Sequence, residues 1–258
     1  IVACSVFEQS DTTAGVRNYS SYGSVHPAWR CRGIGTAMAA WNEARLLHIA
    51  DEQHHPGGSA LTTWIEEADV GATALAQSRG YARTRVGFHM VRPDMLDIDI
   101  PSLPDGVEVR PVTQADLPRI WDAMIEAFRD HHGGHDGSEA AFQRWTRDPV
   151  FDTSLMIIAY DGEEIASGVQ GWIDPEENAA NGYRRGWTDP VFTSRPWRRR
   201  GLASALLGRA FVAVRERGMT SAQLGVDSEK PYQALTLYER HRFETVRTGS
   251  EWTRVIAP

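Results

Sequence analysis

The stretch Thr193-Ser-Arg-Pro-Trp-Arg-Arg-Arg-Gly-Leu-Ala-Ser-Ala-Leu206 decides how this chain is organised, because it occurs twice. The first copy, Val25-His-Pro-Ala-Trp-Arg-Cys-Arg-Gly-Ile-Gly-Thr-Ala-Met38, lies 168 residues earlier and aligns without a gap, so that Gly33 matches Gly201. In both copies an extended segment precedes the arginines and a helical pattern follows the glycine. The chain of 258 residues is therefore predicted to contain two tandem domains that share the unit strand, basic turn, helix.

Alternating strand and helix patterns continue through the second half of the chain. Val107-Glu-Val-Arg110 predicts a strand, and residues 116–129 predict an amphipathic helix. Asp161-Gly162 predicts a hairpin turn between two apolar runs. Further alternating elements are indicated at 187–193, 202–217, 221–226, 231–241 and 251–256. The predicted fold class is therefore α/β, with a mixed sheet in each of two tandem domains.

The segment between the two halves, residues 97–106, carries prolines and turn residues but no helical period. Such a composition is typical of a linker. We therefore predict an N-terminal domain over residues 1–96, a linker over 97–106 and a C-terminal domain over 107–258. Because Ile1 stands within a strand-like apolar run, we expect the first domain to lack the N-terminal part of its fold.

The basic turn of the second copy has the properties of an anion site. Backbone N–H groups at the start of a helix lack intrahelical partners, and the helix dipole adds partial positive charge. Gly201 allows the backbone to approach a ligand closely. Arg198, Arg199 and Arg200 supply permanent charge and forked donors that suit phosphate oxygens. The ligand is therefore predicted to carry phosphates.

Spacing decides between the known phosphate-binding motifs. Neither copy has the Gly-Lys-Ser/Thr of a P-loop, and GxGxxG fails because its last position is Met38 or Leu206. Both copies instead fit Arg/Gln-x-x-Gly-x-Gly/Ala, and a second motif follows in Ala234-Leu-Thr-Leu-Tyr-Glu-Arg-His-Arg-Phe243. Together these stretches resemble the GNAT family of acetyl-CoA-dependent N-acetyltransferases. The resemblance covers residues 107–258 and the latter part of the same fold in 1–96.

The resemblance implies acetyl-CoA as the cosubstrate. The backbone of the strand that ends at Thr193 would pair with the pantetheine arm, and N–H groups of the turn would hold the pyrophosphate. The residues assigned to the cofactor on this basis are Val191, Phe192, Thr193, Arg198, Arg199, Arg200, Gly201, Leu202, Ala203, Ser204 and Lys230. A second candidate CoA site in the first half comprises Arg30, Arg32, Gly33 and Gly35.

The resemblance also assigns catalytic roles. In this family an amine attacks the thioester directly, and Tyr238 would face the sulfur. A phenol with a reference pKa of about 10 stays protonated at neutral pH, so it can donate a proton to the departing thiolate. Asp189, on the strand that leads into the turn, is the first candidate for the general base. Glu176 and Glu177, or backbone carbonyls with water, are the alternatives.

Three positions depart from the family pattern. Lys230 stands where an asparagine often precedes the helix of Tyr238, and Arg242 replaces the usual glycine before the motif's phenylalanine. In the first half, Ala76 occupies the position that corresponds to Tyr238. We therefore expect the first half to lack the acid and to have a structural or substrate-shaping role.

The composition argues against several classes of function. A net charge of −7 and a pI near 5.7 argue against a protein that coats nucleic acid or an anionic membrane. No apolar run has the length of a membrane span. Cys4 and Cys31 lack zinc-type spacing, and His131, His132 and His135 have no partner at a ligand spacing. We expect a cytoplasmic protein that binds no metal.

The predicted function is transfer of an acetyl group from acetyl-CoA to the primary amine of a small molecule, with a homodimer as the candidate assembly. A non-catalytic acyl-CoA-binding or sensing protein is the alternative, because Ala76, Lys230 and Arg242 depart from the family. Nucleic-acid binding through the arginines is a further alternative, which would show affinity that falls steeply with salt.

Overall fold

The structure, a computed structural model, describes residues 1–12, 15–129, 136–227 and 231–256, without the side chains of residues 227 and 231–234. The strands are β1 Ala3–Asp11, β2 Arg17–Val25, β3 Ser59–Glu66, β4 Ala82–Arg92, β5 Val107–Arg110, β6 Met156–Asp161, β7 Glu164–Trp172, β8 Arg185–Thr193, β9 Ser221–Asp227 and β10 Glu244–Ile256. The helices are α1 Ile34–Gln53, α2 Val70–Ser78, α3 Leu117–Phe128, α4 Glu139–Thr146, α5 Pro175–Asn181, α6 Leu202–Glu216 and α7 Pro231–Arg240. In this part of the chain no helix is long and apolar enough to cross a membrane. The predicted mixed α/β fold is confirmed.

The chain forms two compact units, the first of Ile1–Gly87 with Arg247–Pro258 and the second of Phe88–Val246. In the first unit the strand order is β1-β2-β3-β10, with β2 parallel to β3 and β10 antiparallel to β3. In the second unit the order is β4-β9-β8-β7-β6-β5. There β8 is parallel to β9, and each neighbouring pair from β5 to β8 is antiparallel. Both units therefore have a mixed sheet.

Two strands begin in the unit of the helix that precedes them in the chain and end in the other unit. β4 follows α2, yet its residues 88–92 lie in the second unit, where Met90 is part of the core. β10 follows α7, yet its residues 247–256 lie in the first unit, where Trp252 is part of the core. Each unit is thus completed by a strand that follows the other unit's last helix. The predicted N-terminal domain 1–96, linker 97–106 and C-terminal domain 107–258 follow the order of the repeat in the chain, and they stay a prediction.

The second unit has apolar side chains on both faces of its sheet. On one face α6 contributes Leu206, Phe211 and Val214 to the core, because these residues recur at helical spacing. A second apolar cluster joins α3, through Ile120, to Phe192 of β8. β8 therefore lies between two packed layers.

Candidate active site

The basic turn of the second unit leaves the first N–H groups of α6 available. Gly201 caps α6 with a left-handed φ of 81° and provides no side-chain hydrogen bond to the helix. Arg199 is also left-handed, with φ 63°. The first intrahelical bond of the turn runs from the Ala205 N–H to the Gly201 carbonyl at 3.0 Å. The preceding N–H groups form the kind of anion site that phosphate groups occupy at helix N-termini.

Arg198 stabilises the conformation of this turn and also gives it positive charge. Its Nε donates to the Thr193 carbonyl at 3.1 Å, and its Nη2 donates to the Ala127 carbonyl at 3.0 Å. The guanidinium therefore fastens the turn to the end of β8 and to α3. Arg199 and Arg200 are exposed, which leaves both side chains accessible to a ligand.

The turn of the first unit repeats this conformation. Cys31 and Gly33 are left-handed with φ of 58° and 80°, at the positions of Arg199 and Gly201. Arg30 donates through Nε to the Val25 carbonyl at 3.1 Å, as Arg198 does to Thr193. α1 begins directly after Gly33 without a side-chain cap. The sequence repeat is therefore also a repeat of backbone geometry.

β8 diverges from β9 as it approaches the basic turn. Parallel pairs run from Arg185↔Ser221 to Trp187↔Gln223. Beyond them, the Gly225 N–H of β9 donates to the Asp189 side chain at 3.1 Å. β8 also has an irregular register against β7 at this place. The divergence and the irregularity bring Asp189 to the point where the two strands separate.

The strand residues assigned to the cofactor have different surroundings. Val191 is partly buried and pairs with Val169 of β7. The Phe192 side chain is buried in the core, so only its backbone is suited to a ligand. The Thr193 hydroxyl lies 2.9 Å from the Ser167 hydroxyl.

Tyr238 projects from α7 into the core of the second unit. It is only 8% exposed and packs edge-to-face on Phe243, with ring centroids 5.9 Å apart. Burial raises the pKa of the Tyr238 phenol well above its usual value, and the charge of Asp189 raises it further. Within the described residues no hydrogen bond engages its hydroxyl. Tyr238 is thus a protonated phenol within electrostatic reach of Asp189.

Asp189 combines partial burial with few polar partners. Burial raises the pKa of its carboxyl to about 6, although the hydrogen bond from the Gly225 N–H opposes this shift. Trp172 donates through Nε1 to the Asp189 backbone carbonyl at 3.1 Å. A carboxyl with a pKa near neutrality has the strength that suits a general base.

Glu177 is the centre of a hydrogen-bonded cluster. Its carboxylate accepts from Trp187 Nε1 at 2.8 Å, from the Tyr183 hydroxyl at 2.8 Å and from Gln223 Nε2 at 3.1 Å. Burial opposes ionisation of Glu177, but these hydrogen bonds outweigh it and hold the pKa below the usual value. Glu177 is therefore a weaker base than Asp189. Glu176 is exposed.

An aromatic stack adjoins this cluster. The rings of Trp172 and Trp187 are parallel within 3°, with centroids 4.7 Å apart, and His89 also stacks on Trp187, with centroids 5.6 Å apart. His89 Nε2 lies 3.0 Å from Gln223 Oε1. Sequence reasoning missed His89, Tyr183 and Gln223, because three separated segments bring them together and no local motif marks them.

The remaining predicted residues have these locations. Ala203 and Ser204 are partly buried in the first turn of α6, whereas Leu202 is buried in the core. Lys230 and the histidines at 131, 132 and 135 lie outside the described residues. Across the described ranges no group of His, Cys, Asp and Glu side chains is arranged to hold a metal ion.

Arg242, which replaces the usual glycine, is left-handed with φ 63°. A glycine would adopt this conformation without strain, whereas a side chain adds roughly 1–2 kcal/mol. In the first unit, the buried Ala76 of α2 stands at the position of Tyr238.

Comparison with known proteins identifies the family of the chain. The sequence model described as the acetyltransferase (GNAT) family matches residues 117–243. A mycothiol acetyltransferase from Salinispora tropica is 30% identical over 222 residues, which are 85% of this chain and 68% of that protein. A similar enzyme from Kineococcus radiotolerans is 29% identical over 239 residues, 88% of this chain and 70% of that protein.

Solved structures show the same fold. A GCN5-related N-acetyltransferase from Sphaerobacter thermophilus superposes with a TM-score of 0.79 at 27% identity, covering 100% of this chain and 78% of that one. A tandem GNAT protein from the clavulanic acid biosynthesis pathway has a TM-score of 0.68 at 16% identity, covering 95% and 77%. The chain therefore belongs to the GNAT family of acetyltransferases, in its tandem form.

Proposed function

We propose that this protein transfers the acetyl group of acetyl-CoA to the primary amine of a small molecule in a ternary complex. The observation that carries the proposal is the electrostatic interaction of Tyr238 with Asp189, which lies at the point where β8 and β9 diverge. One group has a pKa of about 6 and the other a pKa raised well above its usual value. Two titratable groups whose pKa values differ in this way suit a base and an acid.

The cofactor is assigned to the divergence between β8 and β9 and to the adjacent basic turn. N–H groups of residues 198–203 would bind the pyrophosphate, and the backbone of 191–193 would pair with the pantetheine arm. A Cβ built on Gly201 would meet no protein atom within 4 Å, so its face of the turn is open. The residues present therefore fit acetyl-CoA, which supplies the acyl group and the thiol leaving group.

The roles of the two groups follow from their protonation states. The Asp189 carboxylate takes a proton from the incoming ammonium, which frees the nitrogen lone pair to attack the thioester carbonyl carbon. As the carbon–sulfur bond breaks, Tyr238 donates its phenolic proton to the departing thiolate. The products are the N-acetylated amine and free CoA.

The first unit lacks both groups. Ala76 stands at the position of Tyr238, and Ser21 stands at that of Asp189 when the repeat alignment is continued upstream. Thr63 donates through its hydroxyl to the Ser21 carbonyl at 2.8 Å. Because the turn of this unit repeats the backbone conformation of the second unit's turn, Arg30, Arg32, Gly33 and Gly35 stay a candidate CoA site. We propose that it has a structural or substrate-shaping role.

The test measures release of the free CoA thiol with a panel of amines. The panel includes the amine whose acetylation yields mycothiol, because several relatives carry that name. The variant Tyr238→Phe should lower kcat by about 10²–10⁴-fold, the usual contribution of a general acid, with little change in acetyl-CoA affinity. Tyr160→Phe is the matched control, since it removes another buried hydroxyl that has no hydrogen-bond partner in the described structure.

The outcome that would reject catalysis is tight CoA binding without turnover of any amine, unchanged in Tyr238→Phe. That result would favour a non-catalytic acyl-CoA-binding protein. Homodimerisation and a cytoplasmic location stay predictions, to be checked by light scattering and by cell fractionation.

A further inference from the structure

A buried histidine is hydrogen-bonded to the basic turn. Ser204, in the first turn of α6, has its hydroxyl oxygen 2.7 Å from Nε2 of His241. His241 directly follows α7, three residues after Tyr238. This hydrogen bond therefore joins the predicted pyrophosphate site to the helix that carries the proposed acid.

His241 is held firmly in this position. It is only 4% exposed, and its ring packs on Phe211 with centroids 5.7 Å apart. Arg92, which is 2% exposed, donates through Nη1 to the His241 backbone carbonyl at 2.6 Å. Burial lowers the pKa of the His241 imidazole, and the charge of Arg92 lowers it further. At neutral pH the ring is uncharged and carries one N–H.

Two proton arrangements satisfy a bond between Ser204 and a neutral His241. If Ser204 donates its only proton to Nε2, its hydroxyl presents lone pairs to the turn and repels a phosphate oxygen. If His241 carries its proton on Nε2 and donates, the Ser204 proton is free to bind the phosphate. A ligand phosphate at the start of α6 therefore selects the second arrangement.

We propose that His241 is a positioning residue for the cofactor, which donates to Ser204 and thereby directs the Ser204 hydroxyl proton to the pyrophosphate of CoA. The inference rests on the proposed function, since it requires CoA at this turn. Hydrogen bonds to charged groups are among the stronger ones in proteins. Loss of this one is expected to weaken CoA binding about tenfold.

The first unit provides an internal contrast. By the repeat, Thr36 corresponds to Ser204 and is exposed, and no hydrogen bond of its side chain occurs within the described residues. Arg79, which stands two residues before Tyr81 as His241 stands two before Phe243, is turned inward to Glu43 at 2.5 and 2.7 Å. The two units share the backbone conformation of the turn but differ in the side chains that surround it.

The experiment measures the dissociation constants of CoA and of acetyl-pantetheine, which lacks the pyrophosphate, by calorimetry. His241→Met removes the donor at similar volume and should weaken CoA binding about tenfold while leaving acetyl-pantetheine unchanged. His241→Gln retains an N–H close to the position of Nε2 and should stay within about threefold of wild type. Ser204→Ala should weaken CoA binding at least as much as His241→Met, which still has the Ser204 hydroxyl, and the double variant should be no weaker than Ser204→Ala. Thr36→Ala is the matched control and should have no effect.

Equal losses of CoA and acetyl-pantetheine in His241→Met would show a packing role only and would overturn the proposal. So would a Ser204→Ala variant with wild-type affinity, a measurement that does not depend on the stability of the buried histidine variants. Absence of CoA binding in the wild type would overturn this proposal together with the proposed function. Normal wild-type binding with an unaffected Ser204→Ala would overturn this proposal alone.

Discussion

At the scale of single residues, the protonation of Asp189 determines the expected pH dependence. Burial raises the pKa of this carboxyl to about 6, so the carboxylate that accepts a proton dominates only above that pH. We expect kcat/KM to rise with pH through a limb near 6 when acetyl-CoA is saturating. Asp189→Asn should lose this limb together with most of the activity. A limb that persists in the variant would assign the base to another group.

The raised pKa of Asp189 also predicts a pH dependence of stability, with a sign opposite to that of the activity. Because the folded state binds the proton more tightly than the unfolded chain, Asp189 favours folding at low pH. That contribution is lost as pH rises from the ordinary value of 3.8 through about 6. Asp189→Asn, whose amide oxygen can still accept from the Gly225 N–H, should therefore raise the Tm at pH 7 more than at pH 4. Thermal unfolding at both values checks this, and an equal shift at both would contradict it.

Glu177 is expected to contribute mainly to stability. Its carboxylate accepts hydrogen bonds from Trp187, Tyr183 and Gln223. A Gln side chain would place its own N–H group against one of these donors, so that hydrogen bond would be lost. Glu177→Gln should therefore lower the free energy of unfolding by about 1–3 kcal/mol at pH 7, as measured in urea. The difference should shrink as pH falls below 4.5 and through the lowered pKa of the folded state.

The adjacent Glu176→Gln is the control for Glu177→Gln, because Glu176 is exposed. We expect it to leave stability unchanged. An equal effect of the two substitutions would show that the hydrogen-bonded cluster around Glu177 does not contribute to folding.

At the scale of elements, the two basic turns offer a matched pair of glycines. Gly201 and Gly33 have φ of 81° and 80°, and an added Cβ would meet no protein atom within 4 Å at either. Ala at either position should cost about 1 kcal/mol of stability through backbone strain alone. Only Gly201→Ala should also lower turnover, by more than tenfold, because its methyl would occupy the face of the turn that is proposed to bind the pyrophosphate. Equal losses of activity in both variants would place catalysis in both units.

The elements also show why parts of the site escaped prediction. The basic turn was predictable because its residues are contiguous, and its repetition distinguished it from an ordinary charged surface. The hydrogen-bonded cluster around Glu177 combines side chains of α5, β8 and β9. The aromatic stack around Trp187 combines side chains of β4, β7 and β8. Side chains that meet only through strand pairing have no common spacing in the chain, so no local pattern marks them.

At the scale of the molecule, each unit includes part of a strand that follows the other unit's last helix. A fragment of residues 107–258 lacks residues 88–92 of β4, including the buried Met90 and Arg92 of the second unit. We expect it to be unfolded or aggregated, whereas a fragment of 82–258 should show a cooperative urea transition. Solubility and circular dichroism of the two fragments decide this. Equal stability of both would show that β4 is dispensable to the second unit.

What the sequence determined by itself was the family, the mixed α/β fold, the repeated turn and the motif of Tyr238, because each depends on residues close together in the chain. Only the tertiary structure decided which strand completes each unit, that Phe192 is core, and that Arg198 binds backbone carbonyls. The same is true of the pKa of Asp189, which burial raises to about 6. These properties depend on burial and on strand neighbours, which arise from distant segments and have no periodicity of their own.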